Sequence, residues 1–275
     1  MTAQATGVAE AIRLALRAPI VPSPIARLVE VAPGYLDVVW PRIASSVDSA
    51  GFLGSALYLA DMALIEVEAS YEPVLTPEAL REAGVGDGEV ASLVEVIDWF
   101  HYGQPQLLLL LAALAEAFGR DRVGGYGKPD LRQVTEQERA HLALDLRLAP
   151  PDSGLLPEIA EAMNHDTPPD LYRAVAVWPC YLEVAWEELQ HLAAYPPFRR
   201  RGRGLYFYAR SGARFLAEPL EANAEALLAA GLDASTIEAA RTAVDDALPA
   251  VAMMIMHAEA MRLGLGVSTR EVVQG

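Results

Sequence analysis

Asp170 is the carboxylate in this chain best placed to act on a bound molecule. It closes the run Asn164-His165-Asp166-Thr167-Pro168-Pro169-Asp170. The two prolines lack amide donors and hold their neighbours extended, so the run is a loop. The apolar pattern after it reads as helix, which makes Asp170 the expected N-cap. A capping carboxylate accepts backbone amides, and the helix N-terminus keeps it ionised. Held among apolar side chains, it could polarise a water molecule as a general base. Aspartate is also an ordinary helix cap, so its position alone does not separate the two roles.

The second polar candidate is Gln104. It sits in Tyr102-Gly103-Gln104-Pro105, which reads as a break between a helix ending near Trp99 and an apolar helix over Gln106 to Phe118. A side-chain amide at such a corner must be satisfied, or touch water or ligand. His101 and Tyr102 adjoin it and join the candidate binding set. His257 with Glu259, and Glu66 with Glu68, are two apart and so lie on different sides of a helix, which reads as structural. No Glu-x-x-His pair or Cys cluster supports a metal. No phosphate loop, dinucleotide fingerprint or Gly-x-Ser-x-Gly motif is present. Neither metal nor cofactor is expected.

The elements that must hold these residues are helical. The chain has 275 residues, 53% of them hydrophobic, and a mean hydropathy of +0.21. Alanine and leucine supply much of that, which favours helix. The single cysteine, Cys180, excludes an internal disulfide and fits a reducing compartment. The apolar runs Leu107 to Ala115 and Ala247 to Met256 are too short to span a bilayer, and no secretory signal pattern is visible. The expectation is a cytoplasmic protein. A formal charge of −16 disfavours nucleic acid and anionic membrane as partners. The local exception is Arg199, Arg200, Arg201, Arg203, Arg210 and Arg214, read as a solvated loop running into a helix at Leu205, or as an anion-attracting rim.

The chain also repeats itself. Pro33-Gly34-Tyr35-Leu36-Asp37-Val38-Val39-Trp40 returns as Pro179-Cys180-Tyr181-Leu182-Glu183-Val184-Ala185-Trp186, and Glu78 to Gly84 returns as Glu225 to Gly231. The offset stays between 144 and 148 residues from Trp40/Trp186 to Pro105/Pro249. A period this long is a duplicated domain-sized unit, not a solenoid. The expected fold is all-α: a single-chain pseudo-dimer of two helical units related by a pseudo-two-fold axis. Residues 1–122 form the first repeat, 123–154 a Gly/Pro-rich linker and 155–275 the second. The two most apolar helices, Pro105 to Phe118 and about Pro249 to Leu263, should bury each other. The loop Ile20 to Pro24, with Ser23 as a helix cap, should then face Asp166 to Asp170 near the axis, and pockets favour such interfaces.

These residues resemble the group I 2-haloacid dehalogenases, also called the halocarboxylic acid dehydrogenase family. The likeness rests on Leu16-Arg17-Ala18-Pro19, Pro33 to Leu36 with Trp40, and Ala83 to Glu89. It continues in Phe100 to Pro105, Val123-Gly124-Gly125 and Trp178-Pro179. It implies an all-α pseudo-dimer. It also implies hydrolysis in which an aspartate activates water that displaces halide and inverts the carbon. The aspartate of that pattern falls at Leu171, one position after Asp170. Its water-holding asparagine corresponds to Gln104. Its pocket Trp and Phe correspond to Ile20 and Ser23, and its late tyrosine to Val244. The resemblance therefore points to Asp170 and Gln104 as catalytic. Ile20, Ser23, His101, Tyr102, Thr167, Leu171 and Val244 would contact the substrate, a small carboxylic acid. The alternatives are a hydrolase for a larger carboxylic acid on the same scaffold, and a non-catalytic helical binding protein. Monomer and homodimer both remain open.

Overall fold

A computed structural model describes residues 3–267. Helices dominate. The first half holds α1 (Ala3–Ala15), α2 (Ser23–Val31), α3 (Tyr35–Val47), α4 (Ala50–Glu68), α5 (Pro77–Glu82) and α6 (Asp87–Phe118). A connecting segment carries β1 (Val123–Gly124) and α7 (Glu136–Ala143). The second half holds α8 (Leu156–Ala162), α9 (Asp170–Val175), α10 (Pro179–Ala194), α11 (Pro196–Gly212), β2 (Pro219–Leu220), α12 (Ala224–Ala229) and α13 (Ala234–Gly264). The two strands are a two-residue antiparallel pair, Val123 opposite Leu220.

Helices α6 and α13 form the centre. They cross antiparallel, with His101 opposite Glu259 and Asp98 opposite Arg262. From Tyr102 to Leu114, α6 is buried all round. That explains its even apolar character, since a helix enclosed on every side needs no polar face. Around this pair, α2 lies on α13, α9 on α6, and α4 and α11 pack on both central helices and on each other.

The backbone carries the spacing seen in the sequence. Gly84 and Gly231 both take positive φ, at 90° and 94°, and Arg17 and Asn164 do so at 54° and 56°. Each pair is 147 residues apart. Thr76 and Asn223 cap α5 and α12 in the same way, each side-chain oxygen accepting an amide three residues on.

Three sequence expectations change. The expected break at Tyr102 to Pro105 is absent, and α6 runs through it with Pro105 inside. Likewise α13 begins at Ala234, not Pro249, which sits in its interior. A mid-helix proline costs about 3 kcal/mol, but the leucines from 107 to 111 bury only if the helix continues, at about 1.5–3 kcal/mol each. Gly103 serves packing, because a Cβ there would lie 2.8 Å from the Trp99 indole. Finally, α11 starts at Pro196, so the arginines from 199 to 210 ride on a helix, not a loop. Arg201 bonds Glu66 at 2.6 Å.

The connecting segment is docked. Arg132 and Glu138 form a buried ion pair at 3.1 Å. Arg132 also donates to Gln106 at 2.8 Å and to the Ala15 carbonyl at 3.2 Å. Glu138 closes a capping box with Thr135. Helix α4 is long and apolar enough to cross a membrane, which the two shorter runs considered above did not suggest. In the fold it packs on α6, α11 and α13.

Candidate active site

Ser23 and Asp170 meet where the first turns of α2 and α9 come together. The Ser23 amide donates to Asp170 Oδ2 at 2.8 Å. The Ser23 hydroxyl donates to Oδ1 in a short hydrogen bond. The two residues are 147 positions apart and each opens its helix. The loops expected to face each other therefore do so at these two side chains.

Neither residue is the N-cap that its sequence context suggested. The caps are Pro22 and Pro169, and neither helix start has a side-chain cap bond. A proline cap leaves Ser23 and Asp170 one step further in, about 100° round the helix. Their polar atoms are thus turned toward the other half. Asp170 spends its carboxylate on the amide at the start of α2, so one helix supplies the anion that satisfies the other's N-terminus.

The electrostatics also differ from the sequence expectation. Burial pushes the Asp170 carboxyl up from its ordinary value. The Ser23 hydroxyl, the Ser23 amide and the Arg173 guanidinium each pull it back, and burial wins. Arg173 stands 3.9 Å from Oδ1 and donates to the Ala149 carbonyl at 3.0 Å, so it is a distant counter-charge. Asp170 is 6% exposed while Ser23 is exposed. The carboxylate lies just beneath the surface, under Ser23. A carboxylate has about four acceptor positions and Ser23 uses two, leaving two for a water or substrate proton. A base raised in this way binds a proton more strongly than an exposed aspartate does.

The other candidates are distributed unevenly. Gln104 is buried, and its Oε1 has no hydrogen-bond partner. Leu171 and Val244 are fully buried in the apolar core. Ile20 is half-buried against that core, and Thr167 is exposed. Tyr102 is buried and donates to Glu138 at 2.5 Å. His101 lies in an ion cluster, its Nδ1 against Glu259 and 3.1 Å from Arg262. Tyr102 and His101 thus spend their polar atoms on structural partners, because Glu138 and Glu259 are fully buried and need them. Five surface clefts lie elsewhere in the molecule, and none of these five is lined by Asp170 or Gln104.

Sequence reasoning missed Arg173 and the contact between Tyr172 and His257. Arg173 is one turn from Asp170 and was legible from its i, i+3 spacing. The pair Tyr172 and His257 was not legible. The Tyr172 hydroxyl lies 2.6 Å from His257 Nδ1 and ties α9 to α13. Burial, with repulsion from His165, pushes the His257 imidazole down to about 3, so it is neutral.

No family model matches the chain. It is 31% identical over 222 residues to a configuration-inverting 2-haloacid dehalogenase of Alcaligenes xylosoxydans xylosoxydans, covering 75% of this chain and 72% of that protein. It is 30% identical over 166 residues to the configuration-inverting enzyme of Pseudomonas sp. (strain 113), covering 56% and 52%. In fold it is similar to a D-2-haloacid dehalogenase mutant in complex with D-2-CPA, with a TM-score of 0.85 over 96% of this chain and 92% of that one, at 17% identity. A D-2-haloacid dehalogenase with L-LA superposes as well, at TM-score 0.85 and 17% identity. The identity and extent of the first match show that the chain belongs to the configuration-inverting 2-haloacid dehalogenase family.

Proposed function

We propose that this protein hydrolyses short 2-haloacids, with Asp170 as the base that activates water. The observation that carries the reading is a buried carboxylate held on both oxygens by Ser23, in a chain of this family. Water donates one proton to Asp170 while its oxygen attacks the halogen-bearing carbon from the side opposite the halogen. The new carbon–oxygen bond forms as the carbon–halogen bond breaks, and halide leaves with the electron pair. Configuration inverts. Asp170 then gives its proton to solvent, and no covalent ester forms. The unpartnered Oε1 of Gln104 is the second acceptor proposed for that water. A buried carbonyl oxygen without a partner costs about 1–3 kcal/mol, and a bound water that donates to it removes that cost. Ser23 covers the carboxylate, so substrate entry requires Ser23 to move aside. Ile20 and Leu171 form the apolar wall in this reading. The division into repeats 1–122 and 155–275, joined by 123–154, is the proposed origin of the asymmetric site, with Asp170 facing the serine at the matching position.

The test is halide release from each enantiomer of 2-chloropropionate, by parent and Asp170→Asn. Release with inverted lactate, abolished in the variant, is the expected result. No release from a panel of short 2-haloacids by the parent would sink the proposal.

A further inference from the structure

A second cleft, remote from Asp170 in its lining residues, has unusual chemistry for a chain of charge −16. It measures about 510 Å³ and lies between the end of α6, β1 and the end of α11. Arg120, Arg122, Arg210 and Arg214 line it, with Tyr126 and Phe215. Glu116 is the only acidic residue in the lining. Its carboxylate is shared, with Arg120 at 2.7 Å and Arg210 in a shorter contact. Four guanidinium groups and one carboxylate leave three positive charges. Among the described residues, no ion pair engages Arg122 or Arg214. Tyr126 is 82% exposed and Phe215 60% exposed. Two open aromatic faces beside two unpaired guanidinium groups are not explained by packing.

The cleft is built from close backbone contacts. Gly124 and Gly125 take φ of 84° and 80°. A Cβ at Gly124 would lie 2.6 Å from Leu216 Cβ, and one at Gly127 would lie 2.0 Å from the Phe215 carbonyl. The Gly125 and Gly127 amides both donate to the Leu216 carbonyl. The 123–127 turn is thus pinned to the 215–216 segment. That fixes Arg122 and Tyr126 on one rim and Arg214 and Phe215 on the other. At Gly125 a Cβ would lie 2.6 Å from an Arg122 nitrogen, so the guanidinium rests on the bare turn.

We propose that this cleft binds an organic polyanion carrying a flat ring. Guanidinium forks match phosphate or carboxylate oxygens in pairs. Aromatic side chains offer a stacking surface for any flat ring. A cleft lined by one sign of charge concentrates counter-ions even where the net charge repels them. The site is independent of the dehalogenase reading.

The test is isothermal titration of the full chain at low salt with three probes: ATP, pyrophosphate and adenosine. ATP should bind measurably, pyrophosphate about tenfold more weakly, and adenosine not at all at millimolar concentration. Arg122→Ala with Arg214→Ala should weaken ATP by at least about tenfold, the loss of one good charge-assisted contact or more, and leave halide release unchanged. Tyr126→Ala, at a solvent-exposed position, should weaken ATP but not pyrophosphate. It keeps the test open if the double variant fails to fold. Absence of ATP binding at millimolar concentration overturns the proposal. So does a folded double variant that binds ATP as the parent does, or a Tyr126→Ala variant unchanged toward ATP.

Discussion

Asp170→Asn should do more than abolish halide release; it should stabilise the fold near neutral pH. Asparagine preserves the shape. Its carbonyl can accept the Ser23 amide, now made to Oδ2 at 2.8 Å, and its NH2 can donate to a rotated Ser23 hydroxyl. What disappears is the buried charge. In the parent, the folded carboxyl lies above its ordinary value because burial outweighs Ser23 and Arg173. The folded state therefore holds its proton to higher pH than the unfolded chain, whose aspartate titrates near about 3.9. That stability is fully present below the unfolded value and is lost as pH rises through the folded one. Between those two values the loss grows as pH rises, whereas the asparagine variant never has a charge to bury. Each tenfold weakening of the acid is worth about 1.4 kcal/mol, and each kcal/mol moves the melting midpoint by about 2–4 °C in a protein of roughly this size. Thermal unfolding of both proteins at pH 7, and at intervals down to pH 4, measures this. The variant should melt higher at pH 7, and the gap should close as pH falls. A variant that melts lower at pH 7 refutes the reasoning, because Ser23 and the α2 N-terminus would then outweigh burial.

Ser23→Ala removes one charge-assisted donor, worth about 1.5–3 kcal/mol to the carboxylate. The carboxyl should rise further, so the acidic limb of the halide-release pH profile moves to higher pH; an unmoved limb places Ser23 outside the site. Gln104→Leu removes a buried unpartnered carbonyl. It should hold or raise stability by about 1 kcal/mol while lowering kcat for halide release; unchanged kcat removes Gln104 from the mechanism. Glu138→Ala leaves Arg132 buried without its ion pair and Tyr102 without its acceptor. Urea unfolding should report a loss of about 3–5 kcal/mol, and a loss under about 1 kcal/mol would mean that Arg132 is resolvated by water.

Local rules carried the sequence reading a long way. Proline, glycine and cap residues mark helix ends because each acts on its own backbone. That is why α2 and α9 were legible, although Pro22 and Pro169, not Ser23 and Asp170, stand at their caps. The repeat told which loops should meet, and Ser23 and Asp170 meet there. The same local rules failed where burial overrode them. Pro105 read as a break and Pro249 as a helix start, yet both stay inside helices because the apolar residues beyond them bury only in a continuous rod. Arg132 and Glu138 read as linker, yet they form a buried pair, which no spacing reveals.

The sequence by itself determined the helical composition, and it pointed to a duplication and to Asp170 as the residue to watch. Only the tertiary structure decided what Asp170 experiences. Its solvation, its bonds to a serine 147 residues away and the direction of its acidity all depend on groups that the fold brings together. The cleft of Arg120, Arg122, Arg210 and Arg214 is of the same kind. Its two pairs of arginines, 120 with 122 and 210 with 214, are distant in the chain and repel one another, so the pairs gather only where the backbone turns from 123 to 127 and from 213 to 216 hold them.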